Sequence, residues 1–235
     1  METKKKKTLL ITLCILSAAN ILCFALYYLS AFITSNAAIQ YTYFYFAEIA
    51  ATVLPMVTAA AMLIAYAKRG INKAILYALP CVLTRILYLF PYCAFEYAYE
   101  GYEITSTLLF ALLETFLTLI AIYIESTVLF LLMIFVTKII AKAKGFERYN
   151  FKEALSEKEF FDFEKPLTAG IFSAACAVFV YNLALEIYDT VNFLISYSGT
   201  YRTSEIFYIL FRYVFILAML LISHLTAYLT KTLLS

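Results

Sequence analysis

Three features of this chain point to an all-α, polytopic bundle of six transmembrane helices with both termini cytoplasmic. The first is composition. Its 235 residues are 64% hydrophobic and 14% charged, with a mean hydropathy of +0.85, whereas soluble domains average about 45–50% apolar and about 25% charged residues. One buried core cannot absorb such an excess, so the bilayer must act as solvent for most of the chain. The second is punctuation: the charges fall in blocks separated by six long apolar runs, and a spanning helix needs about 20 mostly apolar residues. The third is the one-sided distribution of Lys and Arg over the gaps.

The runs are taken in order. The first covers residues 9–33 and the second 41–67, with Pro55 near the middle of the second. The third, 74–95, carries Pro80 and Pro91 on either side of Arg85. The fourth, 104–136, is over-long for a single crossing. Pro166 opens the fifth, 167–195, at a first-turn position where its missing N–H costs nothing. The sixth covers 206–230, and Gly70, Gly101, Gly145 and Gly199 fall in the gaps. The runs are continuous rather than alternating, which excludes a transmembrane β-barrel.

Fifteen of the 18 basic residues lie on one side: Lys4–Lys7, then Lys68, Arg69 and Lys73, then seven between Lys138 and Lys165, then Lys231. Only Arg202 lies on the other side, so the basic side is cytoplasmic. The outer connections are short. Lys4–Lys7 ahead of an apolar stretch resembles a secretion signal, but that stretch exceeds the usual apolar core of about 7–15 residues, and the first span is read as retained. Tyrosines, including Tyr92, Tyr97, Tyr102, Tyr188 and Tyr208, gather near the outer boundary, where a ring can be half dry while its hydroxyl is wet. They read as an interfacial belt, with an aromatic-walled vestibule as the sharper alternative. The compact chain, rich in Lys, Ile, Tyr and Phe, suggests a bacterial cytoplasmic membrane.

Several charges are stranded inside the runs: Glu48, Arg85, Glu114, Glu125, Glu186, Asp189 and Arg212, with His224 toward the cytoplasmic end. An ionised group at the bilayer centre costs about 3 kcal/mol on insertion scales. Four unpaired ones would rival a typical folding stability of about 5–15 kcal/mol. They must be paired, neutralised, near an interface or in contact with water. Arg85 is about twelve residues into its run and is the least able to escape. Glu186 and Asp189 share a helix face at i, i+3, and Glu114 and Glu125, three turns apart, share another. Five acids against two arginines leave a surplus that pairing alone does not absorb. These seven residues, Glu48 to Arg212, form the candidate substrate or proton path.

The stretch 138–165 is the one sizeable cytoplasmic connection, with seven basic and six acidic residues. Ser156 and Glu159 fit a capping box, and Phe151, Leu155, Phe160, Phe161 and Phe163 supply apolar surface. It reads as a short amphipathic helix at the membrane face, a place for a cytoplasmic or membrane partner to dock. The five cysteines all lie in apolar runs without a CxxC pair and read as small buried hydrophobes.

Nucleic acid is not an expected partner, because the basic residues form no single face. One histidine is too few for a His-rich metal centre, and no glycine-rich phosphate loop or GxSxG elbow occurs. No cofactor and no catalytic residue is expected. The resulting expectation is a permease or transporter membrane component for a small solute, cationic if the surplus carboxylates serve it. A non-catalytic scaffold or accessory subunit is the main alternative, and a lipid-modifying enzyme the second.

Overall fold

A computed structural model describes residues 54–83, 85–156, 161–196 and 203–234, and within them helices joined by turns make up the fold, with no strand. The helices are α1 (54–69), α2 (Ile71–Leu83), α3 (Ile86–Tyr99), α4 (Ile104–Ala143), α5 (Phe151–Ala154), α6 (Pro166–Ser196) and α7 (Thr203–Leu234). Three stretches are long and apolar enough to cross a membrane: Ile104–Ala143, Pro166–Ile195 and Ile209–Thr232. They correspond to the fourth, fifth and sixth runs. The first run lies outside the described residues, and of the second only 54–67 falls within them, as part of α1.

Two expectations change. The third run is not one helix: α2 and α3, of 13 and 14 residues, are separated at Arg85. The fourth run does not stop at Val136 but continues as a 40-residue helix, which at 1.5 Å per residue is about 60 Å long, twice a hydrocarbon core. Nothing in Thr137–Ala143 breaks a helix, since Lys138 and Lys142 are good helix formers. The stop comes with Gly145, whose φ of +84° suits a residue without Cβ. Its N–H donates to Lys142 C=O at 3.1 Å while Phe146 N–H reaches Ala141 C=O at 3.0 Å, the paired bonds of a Schellman ending.

Core geometry follows from which helix faces carry small or large residues. Residues of α1 from Leu54 to Leu63 are almost fully buried all round, including the small run Ala59–Ala61. On α4 the buried stripe runs Thr107, Ala111, Thr115, Leu119, Ser126, Phe130, Met133, Thr137 and Ala141, at three- and four-residue spacing save the two-turn step from Leu119 to Ser126. The opposite face is also apolar, with Leu109, Leu112, Phe116, Val128 and Phe135 exposed. A helix apolar on both its packed and its open face is built for lipid contact. α4 packs against α2, α3 and α6, and α6 packs against α7. At the α4–α6 crossing a Cβ on Gly170 would meet Thr137 Oγ1 and lie 2.6 Å from Met133 C=O, so the two backbones nearly touch. Small residues permit such close helix approach in membranes.

The described residues of the connection after α4 are mostly non-helical, and residues 157–160, within the stretch expected to form an amphipathic helix, lie outside them. Its one described helix is the four-residue α5, capped by Asn150 Oδ1 accepting from Lys152 N–H at 3.1 Å. Phe151, Ala154 and Leu155 are buried in the main core, with Phe151 edge-on to Tyr66 at 5.2 Å. These three residues therefore fold back onto the helix ends, while Phe161 and Phe163 are exposed. Ser156 Oγ donates to Glu153 C=O at 2.6 Å, and Glu159, the other half of the expected capping box, lies outside the described residues.

Candidate functional site

The stranded charges separate into three groups. The first is built by the break in the third run. Pro80 and Pro91 lack the N–H that would bond the carbonyls four residues earlier, which weakens the helix on both sides of Arg85. Arg85 N–H instead bonds Val82 C=O at 3.0 Å, a tight three-residue step, and its C=O accepts from Leu89 N–H at 2.9 Å as α3 begins. Arg85 is fully buried. Its Nη2 donates to Thr58 Oγ1 of α1 at 3.4 Å, and Thr58 Oγ1 in turn donates to Leu54 C=O at 3.0 Å. The turns beside Arg85 and Thr58 carry Leu54, Val57, Cys81, Val82 and Leu89, which cluster with Leu119 of α4, so the guanidinium sits where charge interactions are poorly screened. Glu125 of α4 and Cys81 of α2 both interact electrostatically with it. Glu125 is exposed on the flank of α4, next to buried Ser126.

The second group joins α6 to α7. Arg212 Nη2 lies 2.7 Å from Glu186 Oε2 and 3.8 Å from Asp189 Oδ2. Thr190 Oγ1 donates to Glu186 Oε1 at 3.4 Å, and the Tyr213 hydroxyl donates to Thr190 Oγ1 at 3.3 Å. Glu186 is buried, whereas Asp189 is exposed. The i, i+3 spacing therefore serves one arginine on the neighbouring helix.

In the third group the Tyr97 hydroxyl, beyond the end of the third run, donates to the Glu114 carboxylate, which pushes the phenol up to about 12. Tyr97, Tyr102 and Phe110 form a triad with ring centroids 5.5–5.7 Å apart. Glu114 and Glu125 share a face of α4 but answer to different partners. The six described candidates thus fall into three groups, and Glu48 lies outside the described residues.

Two sets of contacts were not legible beforehand. His224 is fully buried, with Phe161, Phe163 and Phe172 at 5.5–5.9 Å, so residues of the connection close over the histidine. Lys231, read from its position as a cytoplasmic surface charge, is also fully buried, with Nζ 4.2 Å from the Tyr228 ring centroid. Ring faces attract cations, and only folding reveals that pairing. The described cysteines Cys81, Cys93 and Cys176 are thiols rather than disulfides; the first two are buried and the third half-buried.

No family model matches this chain, and comparison with curated proteins and with solved structures gives no match.

Proposed function

We propose that the chain is a six-span membrane permease component of a bacterial cytoplasmic membrane, in which the break at Arg85 handles a small solute or a proton. The observation that carries this reading is the division of the third run into two half-helices with a fully buried arginine between them. Discontinuous membrane helices place half-helix ends and freed carbonyls around midplane binding sites, and intramembrane ionisable groups are expensive enough to be kept for a purpose. Glu125 is the carboxylate partner of that arginine, and Thr58 positions it. Glu186, Asp189 and Arg212 satisfy one another and hold α6 to α7, which removes two acids from the surplus that had suggested a cationic solute.

A second reading, a non-transporting scaffold or accessory subunit, is favoured by the 2.7 Å Arg212–Glu186 contact, since closed ion pairs are what a dry bundle needs. Cys81, one helical turn before Arg85, separates the two. With Cys14, Cys23, Cys93 and Cys176 replaced by serine, the full chain is reconstituted in vesicles and treated with a membrane-impermeant cationic methanethiosulfonate. A solute path makes Cys81 reactive from at least one side, and Arg85→Ala changes that rate. No reaction at Cys81 from either side, in a chain that is labelled once denatured, rejects the permease reading in favour of the scaffold.

A further inference from the structure

Where the apolar face of α4 gives way to Lys138 and Lys142, an open groove of about 760 Å³ lies between the end of α4, the Gly145–Tyr149 turn and α1. Three cations line it, Lys138, Lys142 and Arg148, against one acid, Glu147. Lys142 and Arg148 are exposed and make no ion pair among the described residues. Lys138 Nζ stands 5.9 Å from the Tyr66 ring centroid. The wall behind the cations is aromatic, with Tyr66, Phe146, Tyr149 and Phe151 lining the same groove and the last two stacked edge-on at 5.1 Å.

From this we infer that the groove binds the headgroup of an anionic phospholipid, the phosphate held by Lys142, Arg148 and Lys138 and the glycerol end resting on the aromatic wall. The position is decisive. The groove opens at the end of a helix whose outward face is lined by lipid-facing Leu, Val and Phe, so acyl chains can run down α4 while the phosphate stays with the cations. Basic pockets at helix ends are where membrane proteins hold anionic headgroups. The anchor is rigid on one side, because the Schellman ending fixes the turn that carries Arg148. The proposal rests on α4 crossing a bilayer and is independent of the role of Arg85.

The test uses the full chain in neutral detergent, titrated with phosphatidylglycerol or phosphatidylcholine in mixed micelles and read as lipid adducts by native mass spectrometry. Phosphatidylglycerol should bind more tightly than phosphatidylcholine. Each removed cation should weaken it about fivefold, and Lys142→Gln/Arg148→Gln about 30-fold, from roughly 1 kcal/mol per basic residue near a charged surface. Lys152→Gln, an exposed cation outside the groove, should leave binding unchanged. Size-exclusion elution matching the parent confirms that the variants are folded. Three outcomes overturn the proposal: equal affinity for the two lipids, an equal loss with Lys152→Gln, or full displacement of phosphatidylglycerol by 10 mM inorganic phosphate, which would make the occupant a free anion.

Discussion

Gly170→Ala tests the close approach of α4 and α6. In an isolated helix this change would help, since alanine is about 1 kcal/mol more favourable than glycine in a helix interior. Here the added Cβ would lie 2.6 Å from Met133 C=O and still nearer Thr137 Oγ1. The hydroxyl is itself committed, donating to Met133 C=O at 2.6 Å. Its rotation would relieve one clash but not the one with backbone, so α4 and α6 must separate. Overpacking of this kind costs about 1–3 kcal/mol, and a backbone obstacle belongs at the upper end. Set against the helix-propensity gain, the net loss is about 2 kcal/mol, which for a chain of this size lowers Tm by about 4–8 °C. Thermal unfolding in detergent, followed by loss of the monodisperse size-exclusion peak, reads the change. Thr137→Ala in the same background should restore only part of the loss, because the Met133 carbonyl remains. An unchanged or raised midpoint for Gly170→Ala would show that the helices do not approach this closely, and the packing at the centre of α4 and α6 would have to be redrawn.

Other consequences follow from the same contacts. Gly145→Ala should cost about 1–2 kcal/mol, since the left-handed backbone rather than any clash opposes a Cβ there; a midpoint within error of the parent would argue against the turn. Arg212→Ala, which leaves buried Glu186 without its partner, should cost about 3 kcal/mol, and adding Glu186→Gln should recover much of that; purely additive effects in a double-mutant cycle would refute the pairing. Thr58→Val removes the hydroxyl that receives the Arg85 bond and should destabilise by about 1.5–3 kcal/mol, as expected for a hydrogen bond to a charged group. The same substitution in an Arg85→Met background should have a much smaller effect, which a thermal-shift cycle can measure.

The readable part of this fold was the part controlled by solvent preference. Long apolar stretches at 104–136, 167–195 and 206–230 became α4, α6 and α7, and Pro166 opened its helix as its fixed φ suggested. Boundaries were less legible. Lys138 and Lys142 look like the end of a span because charge leaves hydrocarbon, yet a helix continues through charge without penalty until a residue such as Gly145 ends it. The site showed the same division. That Arg85 and Glu186 need partners follows from burial energetics; which residues answer them does not. Spacing put Glu114 beside Glu125 on one face, and the fold gave the first to Tyr97 and the second to Arg85.

Composition was enough to point to the bilayer as solvent, because the free energy of exposing apolar surface to water depends on how much of it there is, not on its arrangement. Among the described residues, three helices are long and apolar enough to cross one. Helix and not strand followed from the unbroken apolar runs, since hydrocarbon forces each segment to satisfy its own backbone. The partners of the charges, the burial of Lys231 against Tyr228, the closure of Phe161 and Phe163 over His224 and the basic groove at the end of α4 belong to three dimensions. Each depends on which faces of separate helices meet, and short-range forces between residues distant in sequence leave no periodicity to read.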